Sequence, residues 1–118
     1  MAKYLDEHIS LAGLCVRIHC DQDEALKAVE DMIGSEILIS DEKGESWLTR
    51  RDGFKIVAAL HLKKVARFTP KQVKTALVDL DLSMDNQMPI VKLLDDDFLS
   101  IKLRLRDLRA RYIDLLEQ

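Results

Sequence analysis

The chain predicts a mainly α-helical fold interrupted by one short β-hairpin, and three observations carry this. Apolar side chains recur every three or four residues along most of the 118 positions. The period changes once, to alternation near residues 36–48, and then returns. Only 4 Gly and 2 Pro are present, too few for the many turns of an all-β sandwich. With 47% apolar and 33% charged residues, the chain has material for one core at the size of one domain, and is too apolar for a disordered tail.

Residues 9–18 place Leu11, Leu14, Cys15 and Ile18 on one helical face, and His19-Cys20-Asp21 interrupts it. Asp21 caps a second helix, with Glu24 placed to complete a capping box. That helix buries Ala25, Leu26, Val29, Met32 and Ile33 and shows Asp23, Lys27, Glu30 and Asp31 on its other face. Gly34 suits the left-handed residue beyond its end. Residues 36–40 read as a strand, 41–44 as a turn with Gly late, and 45–48 as the returning strand. Thr49 then caps a third helix, with Asp52 as its partner. Phe54, Val57, Ala58, His61 and Val65 share its inner face as far as Arg67, while Lys55, Lys63, Lys64 and Arg67 point to water.

Thr69-Pro70-Lys71-Gln72 combines a cap, a Pro at the first helical position and a box residue at the third. The fourth helix buries Val73, Ala76, Leu77 and Leu80. Residues 83–89 read as a linker, so the expected division is a first domain over 1–82 and a linker plus terminal helix over 83–118. Phe98, Ile101, Leu105, Leu108, Tyr112 and Leu115 alternate by three and four. This spacing is a coiled-coil seam and predicts a long terminal helix that forms a homodimer. Asp95-Asp96-Asp97 reads as favourable charge at that helix's start.

Charge and chemistry narrow the function. The net charge is −3, which excludes a globally basic nucleic-acid binder. It is unevenly spread: −7 over residues 1–46, +6 over 47–80 and −2 over 81–118. No uncharged apolar run is long enough to span a membrane, and residues 1–10 lack the pattern of a signal peptide, so a cytoplasmic protein is expected. Cys15 and Cys20 fit neither a C-x-x-C nor a zinc-finger spacing; they read as ordinary, partly buried thiols. His8, His19 and His61 fall in three different elements, and there is no phosphate loop, nucleophile elbow or H-E-x-x-H. No catalytic residue, metal or cofactor is expected, and the chain does not read as an enzyme.

Two closely linked helices, a hairpin placed as a wing, two more helices and a seam helix together resemble the MerR superfamily of winged helix-turn-helix proteins. In that family the wing ends in Gly-Tyr-Arg-x-Tyr, followed by an acidic residue that opens the next helix. Here Gly44 and Asp52 match, whereas the Tyr and Arg do not. The chain is similar above all to the chaperone-modulator (CbpM-like) branch. The similar features are Ile9-Ser10-Leu11 through Leu14-Cys15, the acidic opening Asp21-Gln22-Asp23-Glu24, Trp47, the apolar run Ile56-Val57-Ala58-Ala59 and the closing helix. Residues 82–96 are an extra segment relative to that branch.

The resemblance implies a modulator that binds the J-domain of a DnaJ-type co-chaperone, whose helix II is basic. Asp21, Asp23, Glu24, Lys27, Glu30, Asp31 and Trp47 are the expected contact residues, Trp47 as an anchor or as the closure between wing and third helix. The alternative implied by the superfamily is a DNA-binding regulator, using Lys43, Arg50, Arg51, Lys55, Lys63, Lys64 and Arg67. A reading helix that exposes Asp23, Glu24, Glu30 and Asp31 against a single Lys27 suits phosphate poorly.

Overall fold

The computed structural model describes residues 7–86, 88–95 and 97–117. The first six residues and Asp96, on which parts of the leader and Asp-run readings rest, lie outside these. The fold is mainly helical with small antiparallel sheets: β1 (His8–Ser10), α1 (Leu11–Ile18), α2 (Gln22–Ala28), β2 (Ile39–Ser40), β3 (Ser46–Thr49), α3 (Arg50–Lys64), α4 (Pro70–Asp85), β4 (Val91–Asp95), β5 (Ser100–Leu103) and α5 (Leu105–Leu116).

The helix starts follow their caps. Ser10 accepts from the Gly13 amide at 3.0 Å, Thr49 from Asp52 at 3.1 Å, and Thr69 and Gln72 exchange both bonds of a capping box. Asp21 caps α2 through the Asp23 amide, but Glu24 does not reach back; its carboxylate turns to Lys64. The last turn of α2 widens into a π turn over Val29–Ile33, and Gly34 leaves it at φ 121° with extended ψ rather than in the left-handed helical well. A short 3₁₀ turn, Ser35–Ile37, replaces the first half of the expected strand.

Ile9 and Ser10, expected to open the first helix, belong with His8 to a strand instead. Ser10 must be extended to cap α1, and the residues before it pair with β3. The sheet order is β1-β3-β2, with Ile9 opposite Leu48 and Trp47 between Ser10 and Ile39. Leu48 is fully buried and Trp47 half-buried, so Leu48 rather than Trp47 closes the core beneath the hairpin. Gly44 takes φ 80° in the hairpin turn, a position that favours Gly.

The long terminal helix is corrected. Val91, Leu93, Ile101 and Leu103 alternate with exposed Lys92, Ser100 and Lys102, and this period of two outweighs the apparent heptad. Val91–Asp95 and Ser100–Leu103 therefore pair as a hairpin, and helix begins only at Leu105. The six seam residues separate. Phe98 is at the hairpin tip, 97% exposed, and Ile101 is on β5. Leu105 and Tyr112 are buried in their own chain, while Leu108 and Leu115 are partly buried. The expected linker is also displaced, because α4 continues through Asp85.

The core gathers Leu11 and Leu14 of α1, Phe54 and Ile56 of α3, Val73 and Leu80 of α4, and Leu105 and Tyr112 of α5. Tyr112 stacks edge-on against Phe54 at 5.4 Å and donates its hydroxyl to the Arg50 carbonyl at 2.6 Å. Arg17 bonds the Leu116 carbonyl at 3.3 Å, fixing the end of α5 against α1. His61 and Val65, expected on the inner face of α3, are exposed where α3 ends; Arg67 beyond them adopts φ 57°.

Candidate binding faces of the second helix and the wing

The acidic face of α2 exists as a surface. Asp21, Asp23, Lys27, Glu30 and Asp31 are all exposed along α2 and its π turn. Glu24 is half-buried and differs in role. Its carboxylate pairs with Lys64 of α3 at 2.5 Å and sits 3.9 Å from the Cys20 thiol. The same carboxylate holds the Lys64 ammonium above its ordinary range. Glu24 thus fastens α2 to α3, while the other four carboxylates remain turned to solvent.

Trp47 is held within the wing. Its indole donates to Asp41 at 2.9 Å across the hairpin. The same Asp41 carboxylate also accepts from the Lys43 and Glu45 amides, each at 2.9 Å. These bonds, that from Trp47 foremost, hold the Asp41 carboxyl below its ordinary value of 3.8. A carboxyl lowered by folding stabilises the folded wing above its unfolded value, and that contribution is lost as pH falls through the folded one. The single Trp reports on the wing directly. Acid titration should therefore show a fluorescence step with its midpoint below 3.8, absent in Asp41→Ala; a step at or above 3.8 would refute this arrangement.

Four of the seven candidate phosphate-binding residues, Arg50, Arg51, Lys55 and Lys64, are paired within the chain. Arg50 pairs with Glu7 at 3.3 Å, Arg51 with Asp85 at 2.8 Å and Lys55 with Asp81 at 2.9 Å and Asp52 at 3.4 Å. Arg51 also bonds the Asp81 carbonyl. Among the described residues, Lys43, Lys63 and Arg67 carry no ion pair. They lie at the wing tip, at the end of α3 and beyond it, and do not share one element.

Sequence reasoning missed Asp41, Asp81 and Asp85. The last two had a signal. Asp81 and Asp85 are four apart on α4, as Arg51 and Lys55 are on α3, and such matched spacings of opposite sign fit two packed helices. Asp41 stood in plain view as the first turn residue, where Asp commonly accepts from amides further along the turn.

Among the described residues, no helix is long and apolar enough to cross a membrane. Comparison of the chain with family models, curated proteins and solved structures finds no match.

Proposed function

We propose that this chain is a non-enzymatic binding protein of winged helix-turn-helix architecture that engages a basic protein surface through α2. The partner is the J-domain of a DnaJ-type co-chaperone, as in the chaperone-modulator proteins it resembles. The carrying observation is the asymmetry of exposed charge. Asp21, Asp23, Glu30 and Asp31 face solvent, while Arg50, Arg51, Lys55 and Lys64 are each held by a carboxylate of the same chain. Such a face attracts a cationic helix and repels phosphate. The order β1-α1-α2-β2-β3-α3, with a three-residue turn between the first two helices, supports the winged architecture.

The test is titration of a purified J-domain, and separately of duplex DNA, into the labelled full chain. Saturable J-domain binding that weakens with added salt, without duplex binding, is the expected result. Sequence-specific duplex binding with no response to the J-domain would overturn the proposal. It would favour DNA binding through Lys43, Lys63 and Arg67, the members of the candidate phosphate-binding set that carry no ion pair among the described residues.

A further inference from the structure

The junction of α1 and α2 brings two cysteines together across one turn. His19 takes the left-handed conformation at φ 56°, ψ 46° just past the end of α1. The Cys20 amide then bonds back to the Cys15 carbonyl at 2.9 Å, and the His19 amide to the Val16 carbonyl at 3.4 Å. This paired closure is a Schellman motif, in which the third residue from the helix end meets the second residue beyond it, usually through an apolar contact. Here those two residues are Cys15 and Cys20. The Cys20 thiol lies 3.3 Å from the Asp21 carbonyl and 3.9 Å from Glu24.

The two thiols differ in access. Cys15 is 4% exposed, whereas Cys20 is only half-buried. Cys20 lines an open cavity of about 230 Å³ with His19, Val57, Leu60, His61 and Lys64. One thiol can therefore be reached from solution, and the other stands behind it.

We propose that Cys15 and Cys20 form a dithiol site that a low-molecular-weight disulfide converts to an intramolecular bridge at the α1–α2 turn. The Cys20 thiolate attacks one sulfur of the small disulfide, forming a mixed disulfide and releasing one small thiolate. Cys15 loses its proton and attacks the Cys20 sulfur. The Cys15–Cys20 bond forms, the mixed disulfide breaks and a second small thiolate leaves. The protein thiols are oxidised and the small disulfide is reduced to two thiols. The bridge takes the Cys20 S–H away from Glu24, the residue that ties α2 to Lys64.

Burial, first among the causes, pushes the Cys15 thiol up to about 11, and burial followed by the Glu24 charge raises that of Cys20. Lys64 acts in the opposite direction on Cys20. The site is thus not a stored thiolate, and exchange quickens as pH rises.

The test uses the native full chain with excess oxidised glutathione, followed by intact mass and peptide mapping. The expected product is lighter by two hydrogens, cross-linked between Cys15 and Cys20, and restored by a reductant. Because the second attack is intramolecular, the glutathione adduct should stay below roughly a tenth of the product. Cys15→Ala should instead accumulate the adduct on Cys20, and Cys20→Ala should react far more slowly through buried Cys15. A wild-type chain that stops at the adduct would overturn the proposal, as would one that links to a second chain or reacts only in denaturant. The wild-type result decides the matter even if a variant fails to fold, and it is independent of any partner.

Discussion

Replacing Tyr112 by Ala should destabilise the domain by about 3–5 kcal/mol, the range for deleting a buried aromatic. The ring is 1% exposed and packs edge-on against Phe54. For a chain of this size that loss lowers the melting temperature by roughly 10–20 °C, which scanning calorimetry would show. A fall of only a degree or two would mean that α5 is not part of the core. Tyr112→Phe isolates the hydroxyl. It leaves the Arg50 carbonyl without this donor and should cost about 1–3 kcal/mol.

Gly53 sharpens the same prediction. A Cβ at that position would lie 2.5 Å from the Tyr112 hydroxyl and 3.1 Å from Leu14 Cδ2. Gly53→Ala should therefore destabilise by about 1–3 kcal/mol through overpacking. In a Tyr112→Phe background the obstructing oxygen is gone, and only the movable Leu14 methyl remains. The two changes should then cost less together than the sum of their separate effects, by about 1 kcal/mol. Strict additivity would show that the helix end of α3 does not meet α5 as described.

The elements that were legible were those with local signals. Thr49, Thr69 and Asp21 each announced a helix start, and each side chain accepts the expected amide. The hairpin turn was visible in Asp41 and Gly44, and the inner face of α4 in Val73, Ala76, Leu77 and Leu80, all of them buried. What failed required knowledge of a distant partner. Nothing near Ile9 says strand; it becomes one because Leu48 offers it an edge 39 positions away. The apparent heptad beginning at Phe98 came from two different periods joined end to end. Ile101 and Leu103 follow a period of two, and Leu105, Leu108 and Tyr112 follow a helical one. Because Ile101, Leu105 and Leu108 also fall at spacings of four and three, the spacing alone could not separate the readings.

The candidate face shows the same division. Exposure of Asp23, Glu30 and Asp31 follows from the helical period and was predictable. Glu24 was read as another surface charge, yet its place on α2 brings it to Lys64 of α3, 40 positions away. The basic middle segment looked like a phosphate track because a charge count ignores pairing. Arg51 and Lys55 meet Asp81 and Asp85, so the start of that stretch is neutralised, whereas Lys63, Arg67, Lys71 and Lys74 remain exposed.

Reversing Asp23 and Glu30 together to Lys should slow J-domain association about tenfold or more at low salt, and much less near 0.5 M, where screening acts within a few ångströms. Both side chains are exposed, so the reversal should act mainly on encounter with the partner. Asp23 lies in the first turn of α2, where a positive charge opposes the helix dipole by about 0.3–1 kcal/mol, too little to unfold the domain. Glu24 is left intact because its removal would free Lys64 and loosen α2 from α3. Circular dichroism of the double variant should therefore match the parent, separating lost binding from lost fold. Stopped-flow association at two salt concentrations supplies the measurement. Charge complementarity mostly sets the on-rate, so dissociation should change less. If DNA were the ligand, the same two lysines would strengthen duplex binding by adding phosphate contacts, and the salt slope would steepen. An unchanged J-domain on-rate in a correctly folded variant would remove α2 from the interface.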